Sequence, residues 1–246
     1  MDIRKKLLGL VFVALALGVG GCASPAAKVD FKKGQPTAAQ AYYYVPAGQF
    51  KTMRFDPPPA PGSGAQQADL AAVMDWQKKR TETDCARAES VFFVSYDLFW
   101  GDKIFWGDKE PFCAASAGEV KEFFKRVDSD AGEAVDVMKE RFQRSRPFAA
   151  REEIQPCIKK SRSYSYPSGH AAFSRIFAAV LGDIIPERRD EFMKKADEIA
   201  RDRVIAGVHY PADIAAGKVF GDEFHARLLN SPAYLRDIEK MRPAKQ

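Results

Sequence analysis

Several features of common protein classes are missing from this sequence. No run of lysine and arginine is dense enough to suggest nucleic-acid binding, since 38 basic residues are set against 33 acidic ones. The apolar run 7–19 has about 13 residues, too few to cross a bilayer core of ~30 Å as a helix. Cysteine and histidine are scarce, at four and three residues, and no cysteine has a zinc-site spacing to a histidine. We therefore expect no nucleic-acid partner, no permanent membrane span in that run, and no metal.

What the N-terminus does contain is an export signal. Three basic residues at 4–6 precede the apolar run, and two glycines follow it, so that 1–21 is predicted to be a signal peptide. The string 19–22 resembles a bacterial lipobox, and we expect Cys22 to be lipidated in an exported, periplasm-facing lipoprotein. Because Ala23 is not aspartate, the outer membrane is the expected destination. Ordinary cleavage nearby, with Cys22 left as a thiol or removed, is the alternative.

The mature chain has the length of one domain. Residues 22–64 are rich in alanine, proline, glycine and lysine, which predicts a tether and a proline-rich arm before a helical domain at 65–246. Apolar residues at helical spacing predict helices in that domain. These are 65–80, 82–99, 119–127, 131–144, 171–185, 187–204 and 211–229. The aromatic loop 101–117 either lines a substrate pocket or covers the core.

Three cysteines remain if Cys22 carries lipid. Cys85, Cys113 and Cys157 would lie in an oxidising compartment, where three thiols permit one disulfide and one leftover. All three pairings are open at this point.

The segment Tyr166-Pro167-Ser168-Gly169-His170 is the most informative part of the sequence. Pro167 suits the first turn of a helix, and Gly169 lets backbone approach a ligand closely. Free amides at a helix start, with the positive end of the helix dipole behind them, form a site for phosphate. His170 is placed to exchange a proton with whatever binds there.

Further charged groups stand at fixed spacings on either side. Lys139 and Arg146 are seven residues apart, which places them about two helical turns from each other on nearly one face. Arg203, His209 and Asp213 follow the central segment. Pro211 suits the first position of a helix, so that Asp213 would be its third residue and could bond back to His209.

Together these residues resemble the three-part signature of the phosphatidic acid phosphatase type 2 superfamily. That signature reads Lys-x6-Arg-Pro, then Pro-Ser-Gly-His, then Ser-Arg-x5-His-x3-Asp, and Asp202 stands where the family usually has serine. Other strings, such as 55–59 and 231–234, are similar to bacterial class A non-specific acid phosphatases, which are secreted, all-helical and metal-independent. The resemblance implies an all-α, single-domain helical bundle of the phosphatidic acid phosphatase and haloperoxidase type, with no cofactor.

The same resemblance implies a role for each matching residue. His209 would be the nucleophile held by Asp213, and His170 the general acid. Phosphate oxygens would be bound by Lys139, Arg146, Arg203, Ser168 and Gly169. Asp202 would either pair with Arg203 or merely orient it. His225 matches no part of the signature and is interpreted as a helix-surface residue.

The expected function is broad-specificity hydrolysis of phosphate monoesters. A lipid phosphate or pyrophosphate phosphatase with the same site is the alternative, followed by a vanadate-dependent haloperoxidase. Lys159, Lys160 and Arg162, in the loop before the central segment, either guide phosphate inward or are solvated loop charges. The sequence does not decide whether the chain forms a homo-oligomer.

Overall fold

The computed structural model describes residues 42–99, 112 and 115–242, and within these the protein is all-α with no strand. The predicted fold class is thereby confirmed. The predicted signal peptide, Cys22, Cys113 and most of the aromatic loop 101–117 lie outside the described residues.

Seven helices longer than one turn occur in the described ranges. They are α1 (Gly64–Lys79), α2 (Glu82–Ser90), α3 (Ala117–Phe142), α4 (Gly169–Ile184), α5 (Arg189–Ile205), α6 (Pro211–Leu229) and α7 (Pro232–Met241). One helical turn covers Pro147–Ala150, and 3-10 turns cover Ala47–Phe50, Tyr96–Phe99 and Pro186–Arg188. None of these helices is both long enough and apolar enough to span a bilayer.

Helix α3 is one element where the sequence predicted two, 119–127 and 131–144. The helix continues through 128–130, where the carboxylate of Asp130 has partners outside the helix. This carboxylate accepts the backbone N–H groups of Tyr43, Tyr44 and Val45 at 2.6–2.9 Å. A mid-helix aspartate therefore anchors the N-terminal arm.

Helix α2 is shorter than the predicted 82–99 and ends at Ser90. Beyond it the backbone carbonyl groups of Val91 and Phe92 point toward His170. Carbonyl groups used in this way cannot continue an α-helical ladder, which is why the apolar spacing was misleading. The disulfide Cys85–Cys157, with 5.8 Å between Cα atoms, ties α2 to the loop before α4.

Helix α4 is the centre of the molecule and packs mainly against α5 and α6. Most of its residues are buried. Gly217 of α6 makes the close approach possible, since a Cβ there would lie 2.6 Å from the Ser168 carbonyl oxygen. The same contact brings the first turns of α4 and α6 together, where the Ser168 N–H donates to the Asp213 carbonyl at 3.0 Å.

The N-terminal arm belongs to the core from Tyr44 onward. Tyr44, Val45 and Phe50 are buried, and Phe50 packs against Phe220 and Phe224 of α6. The described part of the predicted arm therefore contributes to the main hydrophobic core instead of only lying over its surface.

Candidate active site

A cavity of about 530 Å³ opens where the first turn of α4 meets the last turns of α3 and α5, the residues just before α6 and the loop before α4. Six of the predicted site residues line it. They are Lys139, Arg146, Gly169, His170, Arg203 and His209. Asp213 lies behind His209, and Ser168 is fully buried beneath the cavity. The structure therefore brings these predicted residues together around one cavity.

His209 is held from both ring nitrogens. Its Nδ1 lies 3.2 Å from Oδ2 of Asp213, and its Nε2 lies 3.0 Å from Nη1 of Arg146. Burial, followed by the positive charges of Arg146 and Lys139, holds the pKa of His209 well below its usual range. The neutral ring thus donates from Nδ1–H to the carboxylate and keeps a lone pair on Nε2 facing the cavity.

The local sequence explains this arrangement. Pro211 begins α6, and Asp213 is its third residue, whose Oδ2 accepts the Tyr210 N–H at 3.0 Å. Gly207, at φ +81°, makes the turn that joins α5 to α6. The predicted position of Asp213 and its bond to His209 are both present.

Sequence reasoning missed the other groups around Asp213. Arg144 donates to Oδ1 of Asp213 at 2.7 Å and to Asp69 at 2.7 Å, and it stacks on the Tyr210 ring. The Ser165 hydroxyl donates to Oδ2 of Asp213 at 2.5 Å. Burial raises the pKa of Asp213 to about 6, while Arg144 and the other donors oppose that shift. In the sequence, the only sign of these partners of Asp213 is a basic residue two positions before Arg146.

Lys139 and Arg146 converge for a different reason from the one predicted. Helix α3 ends at Phe142, and Gln143 adopts a left-handed conformation with φ 46°, so that Arg146 is not on the same helix. Both side chains instead contact the same residue of the loop before α4. Lys139 Nζ lies 3.2 Å from the Ser163 hydroxyl, and Arg146 Nη2 lies 3.1 Å from it.

Neutral acceptors hold three of the basic side chains that line the cavity, namely those of Lys139, Arg146 and Arg203. Lys139 donates to the Tyr164 carbonyl, Arg146 to the Val208 carbonyl, and Arg203 to the carbonyl groups of Ala88 and Val91. In the described part of the chain none of the three forms an ion pair. Burial is the main cause that lowers their pKa values, to about 8 for Lys139 and about 10 for each arginine. Their positive charge remains available to an anion.

His170 is half-buried at the side of the cavity. Its Nε2 lies 3.0 Å from the Val91 carbonyl oxygen and 3.2 Å from that of Phe92. Burial and then Arg203 lower the pKa of His170 to about 4, so the ring is neutral at pH 7. A bound phosphate dianion would oppose the effect of Arg203 and favour the protonated ring.

The start of α4 differs from the expectation in two respects. Pro167 precedes the helix, and Ser168 is its N-cap, accepting the Ala171 N–H at 3.4 Å. The Ser168 amide is committed to the Asp213 carbonyl. The prediction that this amide binds phosphate is therefore wrong for this conformation, and Gly169 is the residue of the pair that lines the cavity.

The structure decides one open question and contradicts one expectation. The carboxylate of Asp202 forms a bidentate bond with Arg87 of α2 at 2.8 and 2.9 Å, and it acts on Arg203 only through its charge, which opposes the lowering of the Arg203 pKa by burial. His225 is not a surface residue. Its Nε2 lies 2.7 Å from Oδ2 of Asp183 in a buried polar cluster away from the cavity.

The described residues contain no group of three or more histidine, cysteine or carboxylate side chains arranged to hold a metal ion. Among these residues, the cavity is a site built from cations, amides and two histidines, which suits a tetrahedral oxyanion.

Comparison with known proteins agrees with this chemistry. Residues 131–233 match the PAP2 superfamily, the phosphatidic acid phosphatase type 2 group. A non-specific acid phosphatase of Providencia stuartii is 33% identical over 53% of this chain and 54% of its own length. One of Salmonella typhi is 36% identical over 42% of this chain and 43% of its own length. The chain thus spans about half the length of these curated relatives or less.

Other similarities are broader but weaker. An acid phosphatase of Zymomonas mobilis is 24% identical over 95% of this chain and 88% of its own. A bacterial vanadium-dependent iodoperoxidase structure is 20% identical, with a TM-score of 0.49 over 75% of this chain and 53% of its own. The region from 131 to 233, which contains every predicted catalytic and phosphate-binding residue, is the part of this chain that is similar to the PAP2 superfamily.

Proposed function

We propose that this protein hydrolyses phosphate monoesters through a phosphohistidine on His209. The observation that carries the proposal is the fixed direction of the His209 Nε2 lone pair, set by Asp213 on one side of the ring and Arg146 on the other. A neutral imidazole aimed into a cavity of unpaired cations is the arrangement that nucleophilic attack on a phosphate ester needs.

In the first step, Arg146 turns from His209 to a phosphate oxygen, and the Nε2 lone pair attacks phosphorus. The P–N bond forms as the P–O bond to the leaving group breaks. His170 gives its proton to the leaving oxygen, which departs as an alcohol. Lys139, Arg146 and Arg203 balance the charge on the three equatorial oxygens.

In the second step, neutral His170 takes a proton from water, and the resulting oxygen attacks phosphorus. The P–N bond breaks, inorganic phosphate leaves, and His209 returns to its starting state. Asp213 remains ionised throughout and stabilises the positive charge that develops on His209.

Relatives named non-specific acid phosphatase support this assignment. A second candidate is a lipid phosphate substrate, since a lipid A 1-phosphatase of Rhizobium etli is 38% identical over 29% of this chain and 30% of its own length. Both candidates use the same site and differ in the leaving group.

The test is release of phosphate from p-nitrophenyl phosphate by the full chain in detergent, with EDTA present, between pH 4 and 8. We expect turnover in wild type and none in His209→Ala. Rapid acid-free quenching should trap a base-stable phosphoprotein in wild type only. The matched control is His225→Gln, which changes a histidine outside the cavity and keeps a donor for Asp183.

Two outcomes would contradict the proposal. Full activity in His209→Ala would exclude this nucleophile. Activity on phosphatidic acid vesicles alone, with none on soluble esters, would replace the proposal by the lipid candidate. Halide oxidation on addition of vanadate would support the haloperoxidase alternative.

The proposed location is the periplasmic face of the outer membrane, through a lipid on Cys22. The supporting evidence is the sequence of 1–22 alone. Metabolic labelling with a palmitate analogue should mark the wild-type chain and not Cys22→Ser.

A further inference from the structure

Two aromatic rings at the mouth of the cavity have no part in the reaction steps. Phe92 is 45% exposed and Phe93 is 79% exposed, and both line the cavity beside His170. Phe93 is the most exposed of the large hydrophobic side chains within the described ranges. Exposed apolar surface at the edge of a binding cavity indicates contact with a ligand.

The two rings pack edge to face. Their centroids are 4.6 Å apart and their planes are nearly perpendicular, at 88°. Lys159 Nζ lies 5.7 Å from the centroid of the Phe92 ring, on the side of the loop before α4. Phe93 is left with most of its surface available to a planar group.

The backbone that carries these rings is directly attached to the proposed general acid. His170 Nε2 bonds to the carbonyl oxygens of Val91 and Phe92. The oxygen that receives a proton from His170 is the one bonded to the leaving group. Because Phe92 and Phe93 line the same cavity as His170, a leaving group protonated by His170 lies in the cavity that the two rings border.

This segment is also held in place. Val91 is buried, and its carbonyl oxygen accepts a second bond from Arg203 at 3.4 Å. The disulfide Cys85–Cys157 joins the helix before the segment to the loop that carries Lys159 and Lys160 on the other side of the mouth. The rings are thus presented from a constrained backbone.

We propose that Phe92 and Phe93 form a subsite for a planar aromatic ring on the leaving group, as in nucleoside monophosphates or aryl phosphates. An acyl chain fits less well, because the surface facing the rings carries Lys159, Lys160 and Arg162. Stacking on a phenylalanine face is tolerant of ring type and favours electron-poor or extended rings. The subsite rests on the proposed phosphatase function, whose substrate class it narrows.

The test compares adenosine 5′-monophosphate with ribose 5-phosphate, which share the phosphate and the sugar and differ by the base. In the full chain, Phe93→Ala should lower kcat/KM for the nucleotide by about 5- to 20-fold and for ribose 5-phosphate by less than about 2-fold. Phe93→Leu should lose most of the same preference, since it is apolar without a flat face. Phe93→Trp should keep it.

A third substrate, p-nitrophenyl phosphate, distinguishes whether the subsite binds a nucleobase or a simple aryl group. A loss in Phe93→Ala for the nucleotide but not for the aryl ester assigns the subsite to nucleobases, and the reverse assigns it to simple aryl groups. The matched control is Val219→Ala, an exposed apolar residue of α6 outside this cavity, which should change none of the three rates.

Equal losses on all substrates, or no loss on either ring-bearing ester, would overturn the subsite. A loss confined to phosphatidic acid vesicles would also overturn it, in favour of an acyl chain. If wild type hydrolyses none of these esters, the phosphatase proposal fails. The subsite is then tested separately by measuring the binding of both compounds with isothermal titration calorimetry. Tighter binding of the nucleotide than of ribose 5-phosphate, abolished by Phe93→Ala, would support the subsite. Equal binding would refute it.

Discussion

The two cavity histidines are positioned in different ways. His209 is 2% exposed and is fixed by two charged side chains, Asp213 and Arg146. His170 is half-buried, and two backbone carbonyl groups of the segment after α2 accept its Nε2–H. No described residue hydrogen-bonds its Nδ1.

This difference follows the chemistry proposed for each ring. A nucleophile needs one lone pair in one direction, which a carboxylate on the opposite nitrogen ensures. A group that gives and takes a proton needs a pKa that changes when substrate binds, and neutral carbonyl partners leave that pKa free to respond to phosphate. Of the four predictions that follow, the first two test this contrast and the other two test the charged groups around the histidines.

The largest effect is expected from Asp213→Asn. The amide would no longer hold the Nδ1–H tautomer of His209, and its NH2 group would face the donors of Arg144. We expect kcat to fall by about 10²- to 10⁴-fold. Steady-state kinetics should be compared with Ser165→Ala, which removes one donor and keeps the carboxylate. A loss in Ser165→Ala as large as in Asp213→Asn would argue against the orienting role.

His170→Ala should give a loss that depends on the leaving group. For an alkyl ester such as ribose 5-phosphate, whose leaving oxygen must be protonated, we expect about 10²- to 10⁴-fold lower kcat/KM, which reports the first step and not the hydrolysis of the phosphohistidine. For p-nitrophenyl phosphate, whose leaving group departs as a stable anion, the loss should be about ten-fold or less. Equal losses on both esters would mean that His170 does not act as the acid.

Lys139→Arg should change the pH dependence of phosphate binding. Burial lowers the pKa of Lys139 to about 8, so its positive charge is present below that pH and lost above it. In wild type the inhibition constant of inorganic phosphate should rise above pH 8 by up to about ten-fold per pH unit. In Lys139→Arg it should stay flat through about pH 10, because a guanidinium keeps its charge where the lysine loses it. Identical curves would remove Lys139 from the anion site.

Asp202→Ser should have the smallest effect. Asp202 pairs with Arg87, whose side chain is 40% exposed, so the pair is partly screened by water. We expect less than about 1 kcal/mol of lost stability and less than about 3-fold change in kcat/KM. Arg87→Ala should lower Tm more, because it leaves buried Asp202 without its partner. A ten-fold loss of phosphate affinity in Asp202→Ser would instead show that Asp202 acts on Arg203.

Some expectations from the sequence succeeded because they depended on short-range geometry. Pro211 at the first helical position and Asp213 at the third place the carboxylate against the residues just before α6. That relation holds in any helix with this start, so the bond to His209 was predictable. Ser231 before Pro232 begins α7 in the same way.

Other predictions, those of helix boundaries, failed because the residues that determine each boundary lie far away in the chain. The end of α2 depends on Arg203 and His170, which bind its last carbonyl groups from more than 75 residues away. The continuity of α3 depends on the arm that Asp130 binds. Neither partner appears in the local pattern on which a helix boundary is predicted.

The sequence by itself determined which chemical groups the site would contain and, within α6, how two of them are related. Contacts between distant segments decided the rest. The packing of α2 against α5 paired Asp202 with Arg87, and the loop between α3 and α4 enclosed Asp213 with Arg144 and Ser165 and joined Cys157 to Cys85. The physical reason is that helix geometry fixes contacts between residues about four apart, whereas contacts between distant segments exist only once the core has formed.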